Sequence, residues 1–269
     1  MDKGSKHTNP KDFLERRSLL NAGAIMKDVE SFRKDEKSFL HAPERDELRD
    51  VKGKTLLHLQ SRSGLETLSW ARQGARVVGV DFDEHAVARA NSLAQEKSPE
   101  AEFFCANIYD LPQISKRVFD IIYTAYGSLF WLSNLKEWGR LIARYLAPKG
   151  IFYLVEYHPM ANLLDESFNA SNPVPPQLRY PYAHILYQHS SQKFGLPPFE
   201  YQGGEIWNYT LGDVLQSLIE AKLRIISIKE HDYMFAKRFE QMKQDKEGNW
   251  KWSYPQYQIP LLFSLKATH

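Results

Sequence analysis

Lys54-Thr-Leu-Leu-His-Leu-Gln-Ser-Arg-Ser-Gly-Leu-Glu-Thr67, followed by Ala75-Arg-Val-Val-Gly-Val-Asp81, is the stretch on which the fold of this chain turns. An apolar strand runs into a tight turn and a helix, and a second strand then ends on a carboxylate. That order sets a helix N-terminus and Asp81 on one edge of a parallel sheet. It is the layout that receives an adenosine-containing cofactor in doubly wound α/β folds. Only Gly64 stands in a turn that usually holds two or three glycines, so the rest of the chain has to carry the reading.

Outward from this stretch, the pattern repeats. Residues 54–60 read as the first strand. Ser63 and Glu66 have capping-box spacing and predict a helix from Gly64. Leu65, Leu68 and Ala71 form its inward face, and Gly74 suits its C-terminal cap. Arg76–Val80 is a second strand, with the low polar content of a strand covered on both faces. Asp83 caps a helix running to about Gln95. Phe103–Ala106 and Phe119–Tyr123 are the third and fourth strands. Leu135–Leu146 is a helix stopped by Pro148 and Gly150, and Ile151–Glu156 is the fifth strand. Such a βα repeat implies a parallel sheet with right-handed crossovers. Leu211–Ala221 is again helical, Leu223–Ile228 is a strand and Ile259–Ala267 is the last strand, with a polar insert over 237–256.

The texture changes after His158. Residues 159–209 hold seven prolines, at 159, 173, 175, 176, 181, 197 and 198, and many aromatics. A segment of this length and little periodicity predicts a lid or substrate wall. Four parts follow: a polar helical extension (1–50) without evident chemistry, a cofactor-binding core (51–158), a substrate-covering insertion (159–209), and a C-terminal part (210–269) that completes the sheet.

Composition narrows the function. In 269 residues, 35 basic and 33 acidic side chains leave a net charge of +2. That near balance argues against a dedicated nucleic-acid surface. The single cysteine, Cys105, has no intrachain partner, which fits a reducing, cytoplasmic setting. The polar N-terminal stretch lacks a signal peptide's apolar run, and no apolar run nears the roughly 20 residues of a membrane span. His184 and His189 lack cysteine partners and a His-Glu-x-x-His pattern, so no metal site is expected.

Several segments resemble the class I S-adenosylmethionine (SAM)-dependent methyltransferases over about residues 50–269. Leu56-Leu-His-Leu-Gln-Ser-Arg-Ser-Gly64 sits where that family has its glycine-rich first loop, and Gly79-Val-Asp-Phe82 at its second strand end. Asn107-Ile-Tyr-Asp-Leu-Pro112 resembles the segment that contacts adenine. Phe119-Asp-Ile-Ile-Tyr123 matches the fourth strand, and Leu146-Ala-Pro-Lys-Gly150 resembles the Leu-x-Pro-Gly-Gly turn. Leu-His-Leu-Gln with Gly-Leu-Glu-Thr-Leu-Ser is similar to a bacterial small-molecule subgroup. The resemblance implies a Rossmann-like seven-stranded sheet with an antiparallel last strand, SAM as cofactor and in-line methyl transfer to a small molecule. The departures are His58 in place of an acid, Gln60 and Arg62 in place of glycines, and Asn107 in place of an aspartate. SAM brings only a carboxylate to the loop, whereas a dinucleotide brings a pyrophosphate, so side chains there are tolerable.

The candidate residues follow. Asp81 is expected on the ribose hydroxyls, or else as a helix cap. Phe82 is placed on the adenine face or in the core. Gly64 permits close packing and backbone approach. His58, Gln60 and Ser61 belong to the cofactor loop, and the N–H groups of Ser61–Gly64 are placed to receive a carboxylate. Arg62 either adds charge there or faces water. Ala106, Asn107 and Ile108 flank adenine. Thr124, Ala125 and Tyr126 sit under the methionyl part. Trp131, Glu156 and Trp207 are candidates for the substrate wall, with core packing as the alternative for Trp131. Glu205 and Tyr209 share that segment. His158 ends the fifth strand as either a general base or a structural hydrogen-bonding group before Pro159.

Two other functions fit part of the pattern. Tyr145-x-x-x-Lys149 and Tyr233-x-x-x-Lys237 formally match a nicotinamide-dependent oxidoreductase pair. Pro148 breaks the helix the first would need, and the second falls after the sixth strand. His58, Gln60 and Arg62 leave open a non-catalytic protein that kept the fold.

Overall fold

A computed structural model describes residues 26–34, 37–164, 178, 182, 185–186, 207–254 and 258–269. Twelve strands occur among them: β1 (Thr55–Leu59), β2 (Arg76–Asp81), β3 (Glu102–Cys105), β4 (Phe119–Ala125), β5 (Leu146–Tyr157), β6 (Ile185–Leu186), β7 (Trp207–Asn208), β8 (Arg224–His231), β9 (Tyr233–Met234), β10 (Met242–Gln244), β11 (Trp250–Trp252) and β12 (Leu262–Thr268). The helices are α1 (26–33), α2 (Ala42–Glu47), α3 (Leu65–Arg72), α4 (Glu84–Lys97), α5 (Leu111–Ile114), α6 (Leu135–Tyr145) and α7 (Leu211–Glu220).

Seven strands form one sheet in the order β3-β2-β1-β4-β5-β12-β8. β1 pairs in parallel with β2 and β4, and β12 runs antiparallel to both β5 and β8. This is the doubly wound sheet with a reversed last strand expected from the sequence. The order reverses between β1 and β4, so their C-terminal ends open the crevice in which such sheets bind ligands.

The strands read as apolar runs because both faces are covered. Leu57, Leu59, Val78, Val80 and Ile122 turn to one face, against α6 and α7. Leu56, Val77, Ile121 and Tyr123 turn to the other, against α3, α4 and the segment 29–51. On the first face Trp138 meets Phe152 edge-on at 5.5 Å, a geometry worth about 0.5–1.5 kcal/mol beyond burial. Gly139 brings α6 and α7 together, because a Cβ there would collide with the Ser217 carbonyl.

Three expectations are corrected. Ser63 and Glu66 form no capping box: Gly64 is the cap residue of α3, at φ 76°, and no side chain caps the helix. A left-handed Gly64 turns the chain too sharply for Ser63 to reach forward. The polar insert 237–256 contributes to a three-stranded sheet, β10-β11-β9. Met234, Phe239, Met242 and Trp252 give that sheet a core shared with Ala161, Leu164 and Leu261. α4 extends to Lys97, two residues beyond expectation, with Asp83 capping it as predicted by accepting from His85 and Ala86 N–H. Within the N-terminal extension, Val29, Phe32, Leu40 and Leu48 lie in the core. α2 packs on the sheet, and its Glu47 accepts from Lys266 Nζ at 2.7 Å and also pairs with Lys229. The roof expected over 159–209 lies mostly outside the described residues, as do His184, His189 and Glu205.

Among the described residues, no helix is long and apolar enough to cross a membrane. None of their His, Cys, Asp and Glu side chains group in threes that could hold a metal.

Candidate cofactor and acceptor site

The turn after β1 has the backbone of a glycine loop without its glycines. Gln60 and Arg62 both hold left-handed conformations, at φ 59° and 51°, and Gly64 follows at 76°. A non-glycine residue there costs on the order of 1–2 kcal/mol, so the surroundings must hold it. Asp81 does so: its Oδ2 accepts from Arg62 N–H at 2.7 Å and its Oδ1 from Asp83 N–H at 2.9 Å. Gln60 adds a bridge across the crevice, donating from Nε2 to the Ser128 carbonyl at 2.9 Å. At Gly64 a Cβ would come within 2.8 Å of Ala90 Cβ and of the Phe103 ring. The close helix–strand approach expected there is present.

Parallel pairing gathers the predicted residues at one edge. Leu59 lies beside Val80, and Asp81 beside Cys105. Ala106 N–H donates to the Asp81 carbonyl at 2.8 Å, which brings the segment 106–108 next to the carboxylate. Asn107 is exposed, and its Oδ1 caps the following turn by accepting from Tyr109 N–H at 3.1 Å. Phe82 is half-buried, and its carbonyl accepts from the Cys105 thiol. Ile108 instead turns its side chain into the core under β1 and β2. Burial pushes the Asp81 pKa up, against the two N–H groups that hold its charge.

Three buried polar atoms in this crevice lack partners: Gln60 Oε1, Ser61 Oγ and Thr124 Oγ1. Buried polar groups are rarely left so. Gln60 and Thr124 stand at the C-terminal ends of β1 and β4, and Ser61 Oγ lies over Gly79 of β2. Such open polar atoms fit a ligand rich in polar groups, as SAM is at its amino-acid end. The N–H groups of Ser61, Arg62 and Gly64, however, are already engaged by Val80 O, Asp81 and Ser61 O. Of the four N–H groups expected to receive a carboxylate, three are thus engaged within the chain. First-turn N–H groups of α3, such as those of Leu65 and Glu66, have no partner inside the helix.

Three predicted site residues do other work. His58 is buried, and its Nδ1 lies 2.7 Å from Thr67 Oγ1, which ties β1 to α3. Burial and the Arg62 charge push its pKa down to about 3, so it is neutral at physiological pH. Glu156 accepts from Gly127 N–H, from Tyr157 N–H at 2.7 Å and from Leu129 N–H at 3.1 Å. Both oxygens shape the loop after β4, so Glu156 acts on a substrate only through that loop. His158 Nδ1 accepts from Met160 N–H at 3.1 Å and caps the turn Pro159–Leu163. Its Nε2 lies 2.9 Å from Glu230 Oε1. Burial lowers its pKa, and Glu230 opposes the shift. A nitrogen that accepts from the backbone and another against a carboxylate leave it no free base. Of the two readings of His158, the structural one fits.

Tyr126 and Gly127 carry the chain away from β4 through positive φ, at 38° and 79°. Trp131 is half-buried at the end of the turn Leu129–Trp131, beside β7. Trp207 stacks on Tyr209 with ring centroids 6.2 Å apart.

The sequence reading missed Glu44. This residue of α2 is fully buried. Its Oε1 accepts from Tyr123 Oη at 2.9 Å and from Tyr126 Oη, and its Oε2 from His41 N–H at 3.1 Å. Burial raises its pKa to about 7. His41 stacks on Phe235 at 3.7 Å and meets Tyr126 edge-on, so α2 and the β9 segment together wall the site. The spacing His41-Ala-Pro-Glu44 was the available signal for a helix start.

Comparison with known proteins agrees with this geometry. Residues 57–154 match the methyltransferase domain family. A SAM-dependent methyltransferase from Mesorhizobium loti superposes with a TM-score of 0.62 at 19% identity, over 85% of this chain and 98% of that one. A candidate SAM-dependent methyltransferase from Listeria monocytogenes gives 0.59 at 19% identity, over 84% and 94%. The glycopeptide N-methyltransferase MtfA, solved with SAM, gives 0.51 at 12% identity, over 84% and 91%. No curated protein sequence matches the chain. The fold and the matched domain define an α/β enzyme of methyl transfer. Its sheet is that of the SAM-dependent methyltransferase fold, and residues 57–154 carry the methyltransferase domain.

Proposed function

We propose that the protein transfers the methyl group of SAM to a small-molecule acceptor by in-line displacement. The observation that carries this is Asp81. It closes β2, fixes the glycine-type turn through Arg62 N–H, and keeps further lone pairs for two ribose hydroxyls. Adenine lies along Ala106 and Asn107, against Phe82. The methionyl part lies over Gln60, Ser61 and Thr124, whose unpaired atoms await it, with Ala125 and Tyr126 beyond. The acceptor enters past Trp131 and Trp207. Positioning of sulfonium and nucleophile supplies most of the rate, and no side chain at the end of β5 is required as a base. The aromatic, proline-rich segment favours a small, partly apolar acceptor, by analogy with enclosed pockets.

Calorimetric titration with SAM, S-adenosylhomocysteine and NAD(P) tests this, followed by SAM turnover against phenols, amines and carboxylates. SAM binding with turnover of at least one acceptor is expected. NAD(P) binding without SAM binding would turn the reading towards an oxidoreductase. SAM binding without any turnover would favour a non-catalytic protein.

A further inference from the structure

Tyr126 is the first residue beyond β4 and stands at φ 38°. A bulky residue with positive φ is strained and persists only where its surroundings fix it. Its N–H donates to the Val155 carbonyl at 2.9 Å. Its ring meets His41 edge-on at 5.6 Å and Phe235 edge-on at 5.2 Å. Its hydroxyl donates to Glu44 Oε1. A hydrogen bond to a carboxylate is more directional than ring contacts, so Glu44 sets where the tip of the ring lies. Glu44 itself is 0% exposed, so any effect it has on a bound molecule passes through a neighbour.

The carboxylate is fixed independently of Tyr126. Oε1 also accepts from Tyr123 Oη at 2.9 Å, and Oε2 accepts from His41 N–H at 3.1 Å. Tyr123 lies in the middle of the sheet, its ring 4.6 Å from that of His58 and edge-on to Trp70 at 5.9 Å. Burial raises the pKa of both phenols, so both stay protonated and donate. Glu44 thus refers the Tyr126 ring to the centre of the sheet. The backbone of the same loop is held separately, by Glu156 accepting from Gly127 and Leu129 N–H. The far end of α2 is fastened without Glu44, because Glu47 pairs with Lys266 at 2.7 Å and with Lys229. A buried carboxylate among neutral donors is a poor way to fasten a helix, and α2 already has its fastening.

We propose that Glu44 is a positioning residue for the methionyl end of the cofactor: it fixes the Tyr126 ring as a wall of the crevice at the end of β4. This rests on the SAM-binding reading above, which sets the methionyl part beside Ala125 and Tyr126. Glu44 serves the cofactor without touching it, and α2 becomes a functional part of the cofactor site.

The test is calorimetric titration of the full chain with SAM and with methylthioadenosine, which lacks the amino-acid end. Glu44→Ala and Tyr126→Phe should each weaken SAM about tenfold, the scale of one hydrogen bond to a charged group, and change methylthioadenosine by less than about twofold. The double variant should bind SAM no more weakly than either single one, because both changes free the same ring. Glu47→Gln, which loosens the other end of α2, should lower the denaturant midpoint and leave SAM affinity unchanged. Should Glu44→Ala not fold, Tyr126→Phe and Glu47→Gln still decide. Full SAM affinity in Tyr126→Phe, additive losses in the double variant, an equal loss of methylthioadenosine, or a tenfold loss of SAM in Glu47→Gln would overturn the proposal. No SAM binding by the wild type overturns the cofactor reading and this inference with it. Intact wild-type binding together with any of the contrary results overturns the inference alone.

Discussion

Arg62 N–H donates to Asp81 Oδ2 at 2.7 Å, so the carboxylate at the end of β2 holds in place the turn at the end of β1. One side chain therefore builds the loop and, in our proposal, binds the ribose. Asp81→Ala should weaken SAM binding by about 1.5–3 kcal/mol. It should also lower stability, because the left-handed Arg62 loses its tether. Asp81→Asn should fall between, since one amide face cannot accept from both Arg62 and Asp83. Calorimetry paired with urea unfolding reads both effects. Unchanged SAM affinity in folded Asp81→Ala would remove Asp81 from the site.

Glu44 should leave a signature in the pH dependence of stability. Its pKa rises from an ordinary 4.5 to about 7, chiefly through burial. Between these values the folded chain keeps a proton that the unfolded chain releases. Stability from Glu44 is thus present below about 4.5 and is lost as pH rises to about 7, by at most about 3 kcal/mol. His41 and His58, lowered to about 4 and about 3, act in the opposite sense. Their neutral folded forms gain stability as pH rises towards 6.5. The comparison with Glu44→Gln cancels the histidines. Wild type minus variant should fall across pH 5–7 in urea unfolding, and parallel curves would show that Glu44 does not titrate there.

What the sequence disclosed and what it concealed have physical causes. β1, β2 and β4 are covered on both faces, so they stand out as apolar runs. Asp83 caps α4 from the position that local chemistry dictates. Lys149, the middle residue of Pro148-Lys149-Gly150, is left-handed at φ 66°, the conformation that favours the glycine of the Leu-x-Pro-Gly-Gly turn at that place. The concealed features depend on distant partners. Glu44 meets Tyr126 across 82 residues of chain, and a buried glutamate looks like a solvated one in a charged segment. His58 read as a ligand because its partner Thr67 faces it only once α3 folds back on β1. The strands β9, β10 and β11, of two or three residues each, are too short to show a period.

His158→Ala should cost stability and spare chemistry. The change removes the acceptor for Met160 N–H and the edge-on contact with Phe263 at 6.0 Å. A lost N-terminal cap costs typically about 1 kcal/mol, and more when packing goes with it. Turnover per folded molecule should stay within a few-fold of wild type across the histidine titration. His158→Asn restores a capping oxygen and should recover much of the melting temperature. A loss of turnover of about 10²-fold or more at unchanged SAM affinity would instead make His158 a general base.

Two left-handed positions should respond in opposite directions to glycine. Lys222, at φ 66°, follows α7 and donates its N–H to the Ile219 carbonyl at 2.9 Å. Its side chain has no described partner that glycine would lose. Lys222→Gly removes backbone strain of about 1–2 kcal/mol and adds unfolded-chain entropy worth about 0.4–1 kcal/mol. A net gain of up to about 1 kcal/mol is expected. At Gln60, φ 59°, the strain relieved is similar, but glycine deletes the Nε2 bond to Ser128 O across the crevice. The burial of Gln60, 7% exposed, makes that loss outweigh the gain, because Ser128 O would be stranded at a cost of about 1–3 kcal/mol. Gln60→Gly should therefore be less stable than wild type and bind SAM more weakly, although it brings the loop closer to the glycine-rich pattern. Denaturant midpoints of the two variants and one SAM titration decide the matter. A Gln60→Gly protein as stable as Lys222→Gly, with full SAM affinity, would mean that the glutamine bridge contributes nothing to holding the crevice open.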